Sequence, residues 1–515
     1  MLLHELFDRG ARLWPERACL VDAAGARSYR EVELASHQIA NALRAIFAAP
    51  EFRAAVLSPN CGIAFEAVLG ILRAGGTWLP ANARAVAAET QAVLAKHGCE
   101  VLFFHSEFSA LAVELARSLP ALRHLVCLDC ATQDWPALRD WCAGQPPRAP
   151  APAIGRDSVA VIKPTGGTTG APKSVMQTHG NFAAMTANFL ASMPFAEPPV
   201  HLVAAPMTHG AGSICFPLLA VGATHVILPK ADPGEVLRAI EAHRVNVLFL
   251  PPTVIYALLA HPDLERHDYS SLRYFIYAAA PMSVDKLREA LRVFGPVMAQ
   301  TYGQAEAPML CTFLGPAEHR PDDPAAAARL ASCGRATPFT AVEIMADDGS
   351  LLEPGATGEI VVRGDLVFKG YYEDPAATAA VSTHGWHHTG DIGWRDPQGY
   401  VYLVDRKRDL IISGGFNVFP SEVEQVLWSH PAVQDCAVIG VPDERWGEAV
   451  KAVVELKPDH ATTPGELLAW CRERLGGVKA PKSVEIWELL PRSAIGKVLK
   501  KDIRARYWQG RERQI

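Results

Sequence analysis

The sequence predicts an α/β protein. A large N-terminal domain of parallel-sheet βαβ subdomains and a β-subdomain precedes a small α+β C-terminal domain. Three observations carry this. Short apolar runs alternate with helical patterns through the first part of the chain, the mark of βαβ units and parallel sheets. Between Thr224 and Thr301 the alternation is cleaner still, with strand, capped helix and strand repeating. From about Asp405 a separate set of strand and helix signals begins, and ~110 residues suffice for an independent domain. The boundary falls between residues 404 and 405, and a Pro/Ala-rich connector at about 143–153 divides the larger part.

Taken in order, Met1 to Asp8 sets acids inside a short apolar stretch without a basic flank, an amphipathic helix and not a signal peptide. Ala54–Leu57 and Val101–Phe104 read as strands, with a helix over Ile63–Leu72 between them. Ser158–Ile162 is a buried strand and Phe182–Leu190 is helical. Gly212–Pro229 is the most apolar region. Pro217, His225 and turn signals at both ends make it a buried helix and strand, not a membrane span. Strand Thr224–Leu228 leads to a helix at Asp232, where Pro233 takes the first position and Glu235 completes a capping box. Strand Val245–Leu250, a helix from Thr253, strand Tyr274–Ala278, a helix capped by Ser283 and strand Val297–Thr301 follow. Val342–Met345, Glu359–Arg363 and Tyr400–Val404 are β-type segments. In the last part Ser421 and Glu424 predict a capped helix, and Val433–Val441 and Ala449–Leu456 predict strands. Thr463 to Glu466 caps a further helix that stops at Gly476.

The 515 residues carry a net charge of −6 with both signs mixed, which points to neither nucleic acid nor an anionic membrane as partner. The eleven cysteines, odd in number and scattered, predict reduced thiols and a cytoplasmic location. Cys127 and Cys130 form the one close pair. Zinc needs a second pair of ligands, and none accompanies them in sequence.

The chemistry centres on Thr165-Gly166-Gly167-Thr168-Thr169-Gly170-Ala171-Pro172-Lys173. A Gly/Thr loop between strand and helix leaves backbone N–H groups unscreened and adds hydroxyl donors, which suits phosphate oxygens. A surface turn needs no such combination of glycines, hydroxyls and a terminal lysine. A Walker loop sets Gly directly before Lys at a helix start, whereas Ala171-Pro172 intervene here. Two strands end in small or polar clusters, Ala278-Ala279-Ala280-Pro281 and Tyr302-Gly303-Gln304-Ala305-Glu306. Open parallel sheets place ligands at such ends. Glu306 can hold Mg²⁺ against phosphates. Tyr302 offers a face for a purine, and Asp391 in Thr389-Gly390-Asp391 can accept from ribose hydroxyls. Alone, Tyr302 is equally a core residue, Glu306 and Asp391 solvated acids, and Lys497 a surface charge. Only the combination points to one nucleotide.

Eight ordered stretches now share a pattern: Thr165–Lys173, Pro206–His209, Tyr302–Glu306, Gly358–Gly364, Thr389–Asp391, Asp405–Asp409, Ser413–Glu424 and Pro491–Lys497. Together they resemble the adenylate-forming superfamily of acyl-CoA synthetases, luciferases and peptide-synthetase adenylation domains, over nearly the whole chain. The resemblance implies a two-step reaction with ATP, Mg²⁺ and coenzyme A. A carboxylate attacks the α-phosphate to give acyl-AMP and pyrophosphate, and a thiol then displaces AMP. It implies Lys497, Glu306 and His209 as catalytic groups, with Lys497 bridging carboxylate and α-phosphate oxygens. Glu306 and Thr168 would hold the metal. Thr165, Gly166, Gly167, Thr168, Thr169, Gly170 and Lys173 would orient the pyrophosphate. Ala279, Ala280, Tyr302 and Gly303 would enclose adenine, and Asp391 with Arg406 would hold the ribose. A mobile C-terminal lid would hinge at Arg408, withdraw Lys497 and present Gly414 and Gly415 to the pantetheine channel. Trp446 resembles a CoA-contacting tryptophan, with a core-edge aromatic as the equal alternative.

The same resemblance places His209, Gly210, Ala278 and Met309 at the acid pocket. Thr208–Gly212 holds no acid to pair an α-ammonium group, which disfavours amino acids as substrates. No arginine is evident for a second carboxylate. The expected substrate is a hydrophobic monocarboxylic acid, fatty or aromatic. No carrier-domain serine motif is attached, so free CoA is favoured as acceptor. A carrier protein loaded in trans, or a degenerate ATP-binding homologue, is the alternative. One departure stands out: Ala305 occupies a position where the superfamily usually has Thr. A hydroxyl bonded to a charged phosphate is worth ~1.5–3 kcal/mol, and Thr301 or Thr168 is left to compensate. The expected partners are a small carboxylic acid, ATP and CoA, with no nucleic acid and no integral membrane; a homodimer is an open option.

Overall fold

The computed structural model describes residues 1–164, 173–492 and 498–509, without the side chains of 324, 325, 408 and 417. Thr165, Gly166, Gly167, Thr168, Thr169, Gly170 and Lys497 therefore lie outside the described residues, as does the side chain of Arg408.

The apolar runs assemble into two large, mainly parallel sheets. One has nine strands. Its parallel centre runs from Met298–Tyr302 through Tyr274–Tyr277, Val247–Leu250, Val200–Val203 and Thr224–Ile227 to Ala18–Asp22, and antiparallel strands close both edges. The other has seven. Val159–Pro164, Thr77–Ala81, Arg53–Leu57, Val101–Phe104 and His124–Cys127 are parallel, and Ser174–Thr178 and Gly370–Tyr371 add antiparallel strands at one edge.

The sequence of Arg53–Leu57 shows why these strands are buried on both faces. Ala54 and Val56 enter one core, while Ala55 and Leu57 enter another. A strand covered on both faces has no polar alternation, which is the parallel-sheet pattern. The larger core joins Val161 and Phe103 of one sheet to Leu202 and Leu248 of the other. Phe7, Ile39, Val68 and Phe216 from the helices Leu3–Leu13, Tyr29–Ile46, Gly62–Ala74 and Gly210–Ala220 belong to the same core.

A third, antiparallel sheet holds Ala341–Met345, Gly358–Arg363, Trp386–Arg395 and Val401–Arg406. The last of these strands runs through Asp405 and Arg406, which belong to this sheet. After a turn at Lys407–Asp409, the fourth sheet, with Val433–Asp443 and Gly447–Leu456, builds its own core from Val423, Leu427, Val438, Val450 and Leu467.

Three predicted caps need correction. At helix Pro233–Ala242 Asp232 Oδ1 accepts from Glu235 N at 3.1 Å, but the Glu235 side chain does not complete the capping box. The helix Pro420–Trp428 is not capped by Ser421 and Glu424. Pro420 occupies its first turn, the Ser421 N–H donates to Asp405 Oδ2 at 2.8 Å, and the Ser421 hydroxyl donates to Val404 O. Glu424 is buried, accepting from Val438 N at 2.7 Å and pairing with Lys500 at 2.8 Å. Ser283 stands at the N-cap of Val284–Phe294 without a side-chain cap bond, and its N–H instead donates to the Tyr256 hydroxyl at 2.7 Å. The Thr463–Glu466 capping box forms as predicted. Its helix kinks at Gly476, φ +72°, and continues to Lys479. Among the described residues no helix is long and apolar enough to cross a membrane.

Candidate active site

Strand Met298–Tyr302 ends beside the third sheet, and one buried carboxylate joins them. The Tyr302 hydroxyl donates to Asp391 Oδ2 at 2.7 Å. Gln304 Nε2 donates to the same oxygen at 2.9 Å and to Thr389 O at 2.7 Å. On the other side Arg406 Nε meets Asp391 Oδ1 at 3.1 Å, because Asp391 and Arg406 are direct cross-strand partners. The turn before Asp391 is set by Gly390, φ +70°, and by the Thr389 hydroxyl, which accepts from Asp391 N at 3.1 Å. Asp391 is 3% exposed. Burial, reinforced by the Asp391 charge, pushes the Tyr302 phenol well above its ordinary pKa and keeps it a donor. Tyr302, expected at adenine, and Asp391 and Arg406, expected at the ribose, thus join Gln304 in one network of hydrogen bonds and an ion pair.

A second unit gathers around Glu306. The Tyr371 hydroxyl donates to Glu306 Oε1 at 2.8 Å, and Lys173 Nζ lies 4.8 Å over the Tyr371 ring. The sheet edge explains this meeting, since Tyr371 pairs with Val175 two residues after Lys173. The main chain is pinned too. Phe368 N donates to Glu306 O at 2.7 Å, and Gln177 Nε2 donates to Ala305 O at 2.7 Å. Ala305 packs its methyl against Val175, Phe368 and Tyr371. The Thr301 hydroxyl is buried and makes no hydrogen bond among the described residues. Gln304, Glu306, Tyr371, His387, Thr389 and Lys407 line a solvent-open cleft enclosing about 800 Å³.

Backbone strain marks the adjoining wall. Ala279 and Met309 both adopt left-handed φ, +72° and +62°. Such conformations cost roughly 1–3 kcal/mol in a residue with a side chain and cluster at functional sites. A Cβ on Gly303 would lie 2.6 Å from Met309 N and 2.7 Å from Ala307 O, so only glycine admits this turn. A Cβ on Gly210 would lie 3.0 Å from Met309 Sδ and 3.4 Å from the Phe249 ring. Gly210, Met309 and Phe249 therefore form one apolar surface, with Ala278 buried behind the end of the neighbouring strand.

His209 borders that surface. Its Nδ1 meets Thr208 Oγ1 at 2.9 Å, and burial, followed by the charges of Lys163 and Arg84, pushes its pKa down to about 4. It is a neutral imidazole at physiological pH. Lys163 itself donates to Ser213 Oγ at 3.0 Å.

In the C-terminal part, Gly414 and Gly415 have φ +59° and +80°. Gly414 N donates to Trp446 O at 2.9 Å, and a Cβ at Gly414 would strike the Trp446 ring at 2.4 Å. Trp446 is 36% exposed, with Arg445 over its ring at 4.8 Å. Lys479 pairs with Glu422 at 2.7 Å. In the turn Lys407–Asp409, Lys407 reaches Asp347 at 2.7 Å and Glu359 at 3.4 Å. Glu359 Oε1 also accepts from Gly390 N at 2.9 Å.

Gln304, Tyr371, Glu359 and Lys163 received no role from the sequence. Gln304 sits inside a quoted motif and Lys163 interrupts an apolar strand run, which are usable signals. Glu359 likewise sits inside the quoted stretch Gly358–Gly364, whereas Tyr371 carries no signal, because its partner is distant in the chain.

Two parallel-sheet bodies, a polar cleft at strand ends and a small lid define a nucleotide-using adenylate-forming enzyme. The model described as AMP-binding enzyme matches residues 7–372, and that described as AMP-binding enzyme C-terminal domain matches 422–497; the chain belongs to this family. It is 42% identical over 366 residues to medium/long-chain-fatty-acid–CoA ligase FadD8 of Mycobacterium tuberculosis, spanning 70% of this chain and 63% of that protein. It is 38% identical over 505 residues to feruloyl-CoA synthase of an Amycolatopsis species, spanning 97% of this chain and 98% of that one. Among solved structures, the amide bond synthetase McbA from Marinactinospora thermotolerans superposes with a TM-score of 0.89 at 30% identity, covering 98% of this chain and all of that one.

Proposed function

We propose that this AMP-forming enzyme activates a hydrophobic monocarboxylic acid, fatty or aromatic, and transfers the acyl group to coenzyme A. One observation carries the reading. Asp391, paired with Arg406, accepts from Tyr302 and Gln304, while Tyr371, with Lys173 over its ring, donates to Glu306 two residues further on. Segments distant in sequence thus meet at the Tyr302–Glu306 corner, where Gln304, Glu306 and Tyr371 line one cleft. The apolar surface of Gly210, Phe249 and Met309 supports an apolar acid, and the two CoA ligases among the relatives support CoA as acceptor.

In the first step a substrate carboxylate oxygen bonds to the α-phosphorus as the bond to pyrophosphate breaks. Two anions must approach, so positioning and cations dominate the catalysis. Asp391 would accept from the ribose hydroxyls and Arg406 would steady it, while Lys173 draws the leaving pyrophosphate. Glu306 presents a hard carboxylate oxygen at the cleft, the donor Mg²⁺ takes together with phosphate oxygens and water. Lys497 would bridge the reacting anions. In the second step a thiol sulfur bonds to the acyl carbon and AMP leaves. We assign residues 1–406 to the adenylating body and the remainder to a lid hinged at Arg408, with Lys407 held on the body by Asp347 and Glu359. We place the enzyme in the cytoplasm.

The test is pyrophosphate release across a panel of fatty and aromatic acids, with and without CoA. Pyrophosphate should appear only with acid, and an equal amount of AMP only when CoA is also present; ADP as product would overturn the reading. Within the same assay, Tyr371→Phe removes the donor that orients Glu306. A neutral hydrogen bond to a charged group is worth about 1.5 kcal/mol at the low end, so half-maximal rate should need roughly tenfold more Mg²⁺. An unchanged magnesium requirement would detach Glu306 from the metal.

A further inference from the structure

The last residue but one of strand Val159–Pro164 is a lysine in an otherwise apolar run. Lys163 Nζ donates one hydrogen bond, to Ser213 Oγ at 3.0 Å, and lies 5.9 Å from the Phe182 ring centre. Among the described residues no carboxylate pairs with it. Burial alone acts on the ammonium, pushing its pKa down to about 8. The same charge depresses the pKa of His209, which places Lys163 beside the first turn of helix Gly210–Ala220. Lys163, His209 and Gly210 are each partly exposed, while the Lys163 ammonium itself is buried.

A lysine ammonium has three donors and no acceptor. One is used here, toward Ser213 in the first turn of the helix whose Gly210 lies against Met309 and Phe249, and two have no acceptor among the described residues. A buried donor without an acceptor is unfavourable, and a ligand oxygen relieves it. A purely hydrocarbon tail would leave both donors stranded. We propose that Lys163 is a specificity-determining residue: with Ser213 it receives an oxygen acceptor, a hydroxyl, ether or carbonyl, carried on the body of the acid. The substrate class is then an oxygenated hydrophobic acid, not a plain fatty or aryl acid. This rests on the activity proposed above and names the substrate of that site more narrowly.

The test uses matched pairs: 3-phenylpropanoate against its ring-hydroxylated analogue, and decanoate against hydroxy- and oxo-decanoates. Acid-dependent pyrophosphate release is measured with the full-length enzyme. The wild type should favour the oxygenated member of at least one pair by about ten- to hundredfold in kcat/KM, the range of a hydrogen bond from a charged donor. Lys163→Met should bring that ratio close to one, chiefly through KM of the oxygenated acid, and Lys163→Gln, which keeps a donor, should retain part of it. The Met variant should melt no lower than the wild type, because a buried polar group is gone. If it fails to fold, the Gln variant carries the comparison. An unchanged ratio, an equal loss for both members, or a defect confined to CoA capture after normal acyl-AMP formation would each overturn the inference. A wild type that releases no pyrophosphate with any acid overturns the activity itself, and this inference with it.

Discussion

Lys497→Ala should slow acyl-AMP formation by about a hundred- to thousandfold, while thioester formation from supplied acyl-AMP and CoA stays within a few-fold of the wild type. The magnitude is that of removing one preorganised donor from developing transition-state charge. The asymmetry follows from the chemistry of the two steps. Adenylation brings a carboxylate against a triphosphate and needs a cation between them. Thioester formation replaces a phosphate on a neutral carbonyl and does not. The described chain on either side of residues 493–497 is firmly anchored. Arg492 and Val498 bridge the chain on either side of the segment 493–497. Arg492 is clamped by Asp435 at 2.7 Å and Glu455 at 3.0 Å, and Lys500 by Glu424 at 2.8 Å. Burial opposes the Lys500 charge, but Glu424, Asp405 and Asp409 together hold its pKa above the ordinary lysine value. All of these partners follow the turn Lys407–Asp409 or lie in it, except Asp405, on strand Val401–Arg406. Rapid-quench measurement of each half-reaction decides the matter, and equal losses in both would end the account of a swinging lid.

The features that sequence reading reached are those whose chemistry is local. A glycine-rich run, a Tyr-Gly corner at a strand end and a capping box at Thr463 each announce themselves within a few residues. What it missed depends on sheet order. The Tyr302–Asp391 bond spans 89 residues and exists because two different sheets abut. Tyr371 reaches Glu306 only because a two-residue edge strand joins Ser174–Thr178. The helix Pro420–Trp428 was assigned a local cap, yet a distant carboxylate, Asp405, meets its first turn. Asp405 and Arg406 lie on the body's strand because cross-strand pairing with Ile392 and Asp391 continues past the expected boundary. The acid pocket was expected to be apolar throughout. Lys163 escaped notice because a single lysine in a β-pattern reads as an exposed strand end, and only packing shows its ammonium turned inward against Ser213.

The second large effect is expected from Asp391→Ala, and it separates scaffold from substrate contact. Deleting the carboxylate strands the buried Tyr302 hydroxyl, leaves the Gln304 amide only its bond to Thr389 O, and lets Arg406, 40% exposed at its side chain, regain water. Breaking a buried charged network typically costs 3–5 kcal/mol. With Arg406 partly solvated, about 2–3 kcal/mol is the better expectation, a lower melting temperature but a folded protein. The same carboxylate would accept from the ribose diol, and loss of a charged acceptor should raise KM for ATP by roughly ten- to hundredfold. Asp391→Asn divides these roles. Its amide oxygen can still accept from Tyr302 and recover much of the thermal stability, but it lacks the charge and presents a donor where a hydroxyl must bind. If Asn restores the melting temperature while KM for ATP remains high, Asp391 acts on the nucleotide directly. If KM returns with stability, the carboxylate serves only to tie Tyr302 to Arg406, and the ribose must be held by another residue. Gln304 is the next residue to replace in that case, because it donates both to Asp391 and to the Thr389 carbonyl that shapes the turn.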